Sequence, residues 1–141
     1  MLRIARSALL AIAFTTLAAY AAGCGGARTF TVRGSQRDPG ADGRVQVERI
    51  DGGNQLITFS GTNMTPPDRL GSGFTRYVLW VRTGSAPASM EANVAYDPSS
   101  RTGRATATTP HQRFTVMITA ERATETSTPS DTVIFQQNVS Q

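Results

Sequence analysis

The sequence predicts an all-β protein: an antiparallel, immunoglobulin-like β-sandwich of about seven to eight short strands, preceded by a signal peptide. Three observations lead there. The stretch Thr75-Arg76-Tyr77-Val78-Leu79-Trp80-Val81-Arg82 carries a run of large apolar and aromatic residues between glycine-rich bounds, including the only tryptophan. Around it, short segments alternate apolar and polar residues and are separated by turn residues at regular spacing. Beyond the N-terminal segment, no stretch has a convincing helical period.

The central stretch sets the architecture. A strand sends alternate side chains to opposite faces. Tyr77, Leu79 and Val81 therefore face one side, and Val78 and Trp80 face the other. Both sets are apolar, so both faces need cover. The flanking Gly71-Ser72-Gly73 and Thr83-Gly84-Ser85 favour a strand over a buried helix segment. An exposed aromatic that binds sugar or peptide is the functional alternative for Trp80, and its apolar neighbours argue against it.

At the N-terminus, Met1 to Arg6 is a short positive region, and Ser7 to Ala22 is an alanine-rich apolar run. The run is short beside the roughly 20 residues of a membrane-spanning helix. It reads as a secretory signal segment over residues 1–23, with a tether at 24–27 and the β-domain at 28–141. The residues Ala21-Ala22-Gly23-Cys24 resemble the lipobox of bacterial lipoproteins, with alanine where leucine is usual. That resemblance implies that Cys24 is lipidated on sulfur and becomes the first mature residue. Cys24 is the only cysteine, so it has no internal disulfide partner. Ordinary cleavage near Ala19-Tyr20-Ala21, leaving a free thiol, is the other reading. Gly25 rather than Asp after the cysteine implies, by analogy with the sorting rule in enterobacteria, the outer membrane where the cell has one.

The mature chain then reads in order. Arg28 to Arg33 alternates as a first strand, and Asp38-Pro39-Gly40 marks a turn. Gly43 to Ile50 is a second strand, with Val45 and Val47 on one face. Asp51-Gly52-Gly53-Asn54 tolerates positive φ and predicts a hairpin, returning through Gln55 to Gly61 with Ile57 and Phe59 inward. Thr62 to Gly73 is a longer loop containing Pro66-Pro67, a pair excluded from a central strand. After the central strand, Ala92, Val94 and Tyr96 alternate, and Asp97 to Ser100 turns the chain. Arg101 to Thr108 is small and polar, which suggests a weakly packed or edge strand. Phe114, Val116, Ile118 and Ala120 alternate with Thr115, Met117, Thr119 and Glu121, the cleanest period-two pattern in the chain. A Thr/Ser loop with Pro129 leads to a last strand carrying Val133, Ile134 and Phe135. The structural core is therefore expected at Tyr77, Leu79, Trp80, Phe114, Val116 and Ile118.

The pieces Tyr77 to Val81, Phe114 to Glu121, the Pro129 loop and Val133-Ile134-Phe135 resemble the extracytoplasmic C-terminal domain of anti-sigma-K factors. They also resemble small bacterial lipoproteins of similar length. The resemblance spans about Arg76 to Gln136 and consists mostly of strand pattern with a tryptophan. It implies the fold and an extracytoplasmic location. It carries no sigma-binding activity, because the family's cytoplasmic region and membrane span are replaced here by a signal segment and Cys24.

Composition and motifs narrow the function. All 14 basic residues are arginine, scattered singly, against 10 acidic residues. The high pI therefore gives no basic cluster for nucleic acid. His111, the only histidine, lies in a polar connection and reads as a solvated turn residue rather than a catalytic base. No G-x-S-x-G elbow or phosphate-binding glycine loop occurs. One histidine and one cysteine are too few for a zinc site. Asp38, Asp42 and Asp51 read as turn residues rather than calcium ligands. Glu121 reads as a solvated charge at a strand end, or as a partner of Arg122 or Arg82. The loop Asn63-Met64-Thr65-Pro66-Pro67 offers a candidate recognition surface at Asn63, Pro66 and Pro67, or a stiffened crossover. The expectation is a non-enzymatic, lipid-anchored module of the bacterial cell envelope with a binding or structural role and no cofactor. Its partners would be the membrane and another envelope protein, not nucleic acid. A small-ligand or metal-binding envelope protein is the first alternative, and a small extracytoplasmic enzyme the second.

Overall fold

The computed structural model describes residues 26–123 and 127–141. The segment read as a signal peptide and Cys24, the expected lipidation site, lie outside the described residues. Eight strands follow in chain order: β1 (Arg28–Arg33), β2 (Asp42–Arg49), β3 (Gln55–Thr62), β4 (Phe74–Arg82), β5 (Ser89–Asp97), β6 (Thr102–Thr109), β7 (Arg113–Arg122) and β8 (Val133–Ser140). The helical pieces among the described residues are single 3₁₀ turns at Asp51–Gly53 and Pro67–Arg69. Neither approaches the length needed to cross a membrane.

All pairings are antiparallel, and the strands hydrogen-bond in one continuous order, β1-β2-β3-β6-β5-β4-β7-β8. The all-β antiparallel class is thus as the sequence predicts, but the strands form one eight-stranded sheet instead of two separate ones. Strand β5 is the reason. Its residues Ser89 to Val94 pair with β4, while Ala95 to Asp97 pair with β6. A register shift opposite Leu79/Trp80 leaves Glu91 as an extra residue in the part of β5 paired with β4.

The sheet curls until its edge strands meet. The Ser35 amide donates to the Ile134 carbonyl at 2.8 Å, and the Arg28 guanidinium donates to the Ser140 carbonyl. Phe59 on β3 reaches Phe135 on β8, with ring centroids 5.4 Å apart. That contact encloses one face of the sheet. The enclosed core includes Val45, Val47, Ile57, Phe59, Tyr77, Leu79, Phe114, Val116, Ile118 and Ile134. Closing the edges also hides strand backbone that would otherwise pair with other chains.

Strand β4 is covered on both faces, as its apolar run demands. Tyr77, Leu79 and Val81 join the enclosed core, while Val78 and Trp80 pack with Met117 on the opposite face. Trp80 is 0% exposed. Its indole N–H donates to the Thr119 hydroxyl at 2.8 Å.

Strand β6 corrects the sequence reading. It is no edge strand: it lies between β3 and β5. Its small residues are matched to bulky neighbours. A Cβ on Gly103 would lie 2.8 Å from the Met64 sulfur and 2.9 Å from a Val94 methyl carbon. Glycine there is a close-packing requirement, so poor side-chain volume marks a crowded strand.

Candidate functional site

The fold brings polar side chains together most densely at the end of the sheet where β3 leaves and β4 begins. The connection from Asn63 to Arg69 crosses this end. Asn63 has φ of 55°, a conformation asparagine tolerates better than most residues. The next residue, Met64, is fully buried against Gly61 and Gly103. Thr65 is held by a carboxylate: Asp38 accepts from the Thr65 amide at 2.8 Å and from its hydroxyl at 2.9 Å. Pro67 is buried, and a 3₁₀ turn carries the chain through Arg69 towards β4.

The carbonyl groups of this loop are bonded from within. Tyr77 on β4 donates its hydroxyl to the Thr65 carbonyl, and Tyr96 on β5 donates to the Met64 carbonyl at 3.0 Å. The Arg101 guanidinium donates from Nε to Met64 at 3.0 Å and from a terminal nitrogen to Asn63 at 2.8 Å. The Met64 amide returns a bond to the Arg101 carbonyl at 3.0 Å. Arg101 has φ of 55°, so this backbone position is held by its contacts against its own preference. Four separate parts of the chain thus fix one loop: the β1–β2 connection, β4, β5 and the β5–β6 turn.

The two phenols sit in a shared environment, their rings edge to face with centroids 5.4 Å apart. Burial raises both pKa values, and the Asp38 charge raises them further. Both phenols therefore stay protonated donors well above neutral pH. Asp97, at the neighbouring turn, is held down at about 2 by hydrogen bonds from Ser99 and Ser100. Its carboxylate is committed to the turn.

The candidate recognition residues divide on this geometry. Asn63 is exposed, Pro66 is half-buried and Pro67 is buried. The outward surface of the loop is formed by Asn63, Asp68 and Arg69. The crossover is stiffened from within, and its outward surface is thereby held still. The anchoring residues Asp38, Tyr96 and Arg101 are invisible as a group in the sequence. Asp38 stands in an ordinary turn motif, and 63 positions separate it from Arg101.

Glu121 is also a correction. It is 1% exposed. The Thr119 hydroxyl donates to its Oε1, and the Ser130 amide donates to the same oxygen at 2.7 Å. The Ser130 hydroxyl donates to the Ala120 carbonyl at 2.7 Å. Glu121 is therefore a clip that fastens the chain before β8 onto β7, in line with Trp80 and Thr119. A charge at a strand end reads as solvated only until a later segment folds over it.

His111 is exposed, and its backbone amide bonds the Thr109 hydroxyl at 3.3 Å. The structure does not bring it to Asp97 or Glu121: Asp97 lies at the opposite end of the strands, and Glu121 is enclosed at that same far end. Among the described residues, no group of three His, Cys, Asp or Glu side chains could hold a metal ion.

A second polar feature lies on the outer face of β2, β3 and β6. Arg44, Ser60 and Arg104 stand in one cross-strand row. A shallow trough of about 510 Å³ runs beside Ser60, lined by Thr58, Arg104 and Thr106.

No family model, curated protein or solved structure matches this chain. The resemblance to the anti-sigma-K C-terminal domain therefore rests on strand pattern alone, and function has to be argued from these surfaces.

Proposed function

We propose that this protein is a non-catalytic, lipid-anchored binding module of the bacterial cell envelope, and that it contacts another envelope protein through the Asn63–Arg69 loop. The observation that carries this reading is the convergent anchoring of that loop by Asp38, Tyr77, Tyr96 and Arg101. A surface loop ordinarily loses conformational entropy when a partner immobilises it. This one is already fixed, so its exposed Asn63, Asp68 and Arg69 meet a partner with little further ordering. Loops held on a rigid β-scaffold are a common place for recognition. The lipobox-like residues ending in Cys24 support the anchored location.

The test is a crosslinking pull-down of the intact protein from its own membranes. Asn63→Gly with Arg69→Ala is the site variant, and Cys24→Ser is the unanchored control. Glycine keeps the positive φ at residue 63 while removing the side chain. Loss of one specific envelope protein from the site variant, with unchanged melting temperature, supports the reading. Equal capture by both forms removes the loop from the interface, and no capture by either removes the binding role. A second reading, a carrier of a small anionic ligand, is favoured by the trough between Ser60 and Arg104. It predicts saturable phosphate or carboxylate binding that Arg104→Gln abolishes.

A further inference from the structure

We infer that the end of the sheet opposite the Asn63 loop is a membrane-facing surface that rests on anionic lipid headgroups. This inference depends on the acylation of Cys24 proposed above.

The first ground is reach. Cys24 is separated from Arg28, the first residue of β1, by three residues. Fully extended, that span covers at most about 14 Å. An acylated Cys24 therefore holds the start of β1 close to the bilayer whatever path the tether takes. The strand pairings identify what shares that end. The start of β1 lies beside the end of β2, through Arg28 and Val47. The start of β3 lies beside the end of β6, and the start of β7 beside the ends of β4 and β8. The β4–β5 connection at residues 83–88 closes the same end. The ten residues of β7 place the other end roughly 30 Å away.

The second ground is what this end displays. Met90, at the start of β5, is 40% exposed and is the large hydrophobic residue left in solvent among the described residues. The connecting loop that precedes it leaves Ala86 and Pro87 exposed. Arg28, Arg49, Arg82 and Arg113 stand at this end with the carboxylates Glu48, Asp51 and Glu91. Arg28 and Arg49 each give one donor to the Ser140 carbonyl and the Gln112 side chain, and their remaining N–H groups, with those of the exposed Arg113, suit headgroup phosphates, because a guanidinium presents several donors to an oxyanion while its stem lies on apolar surface. A shallow groove of about 280 Å³ opens beside Arg113, with Gly84, Thr115, Asn138 and Ser140 around it. Its polar rim and one cation fit a phosphate group. A single apolar contact and a few arginines bind a membrane weakly on their own, but the lipid tether makes the encounter intramolecular, so weak contacts suffice. The orientation that follows lifts the Asn63 loop away from the bilayer, where a partner reaches it.

The experiment uses the acylated full-length mature protein in vesicles of phosphatidylcholine with or without phosphatidylglycerol. A fluorophore is attached at Met90→Cys or, as the far-end control, Asp68→Cys; acylation of Cys24 leaves the new thiol as the labelling site. Quenching by a headgroup-nitroxide lipid is read. The expected result is severalfold stronger quenching at position 90 than at 68, further increased by phosphatidylglycerol, with the increase reduced in Arg113→Gln. Equal quenching at both positions, with the acyl group confirmed by intact mass, overturns the membrane-facing end and leaves the anchor standing. An intact mass without an acyl adduct overturns the anchor, and this inference with it.

Discussion

Replacing Trp80 tests the covered outer face of β4, and its magnitude follows from the packing. The indole is fully buried with Val78 and Met117, and its N–H donates to Thr119 at 2.8 Å. A tryptophan of this burial removes on the order of 200 Å² from water, an upper estimate of roughly 5 kcal/mol. Trp80→Ala adds a cavity to that loss, so about 3–5 kcal/mol of stability should disappear. Trp80→Phe keeps most of the ring contact but removes the donor, and should cost about 1–2 kcal/mol. Thr119→Val acts on both neighbours: it orphans the indole N–H and deprives Glu121 of a donor, leaving the Ser130 amide on the carboxylate. About 2–3 kcal/mol is expected. In the cycle of Trp80→Phe with Thr119→Val the losses should fall short of additive by about 1 kcal/mol, because both variants break the same bond. Urea unfolding of the mature chain with Cys24→Ser, followed by far-ultraviolet circular dichroism, reads all four forms, since fluorescence disappears with the tryptophan. A loss under about 1 kcal/mol in Trp80→Ala would refute the reasoning.

Other outcomes follow from particular residues. Gln55 is fully buried on the core side of β3, and among the described residues neither amide atom has a hydrogen-bond partner. Gln55→Met should therefore raise stability by about 1 kcal/mol in the same urea assay, and a comparable loss would mean that a bound water serves the amide. Gly103→Ala would push a methyl group against Met64 and Val94, and should lower stability by about 1–3 kcal/mol in thermal melts. Asp38→Asn replaces one of the two acceptors of Thr65 by a donor and should cost about 1–3 kcal/mol, with faster hydrogen exchange at the Thr65 amide. For Tyr77 and Tyr96 burial holds the folded pKa above the ordinary tyrosine value of about 10. The unfolded chain therefore releases these protons first, so their contribution is complete below pH 10 and declines as pH rises beyond it. Urea melts across alkaline pH should show that fall, reduced in Tyr77→Phe/Tyr96→Phe.

The sequence by itself determined the strands. Alternation, turn chemistry and the single doubly apolar run place them closely: the hairpin at Asp51 to Asn54 has its positive φ at Gly52 and Gly53, and the core strand spans Phe74–Arg82. These are local matters, because period-two patterning and backbone permission are properties of neighbours in the chain. Tertiary structure decided what those strands pair with. Strand order put β6 in the interior, where small residues answer the bulk of Met64 and Val94. The return of the chain before β8 buried Glu121 and turned a strand-end charge into a clip. The Asn63 loop became a fixed surface only because Asp38, Tyr77, Tyr96 and Arg101 arrive from four places at once. A polar side chain's role depends on which partner reaches it after folding. Neither composition nor periodicity records that distance, so the sites stayed hidden where the strands did not.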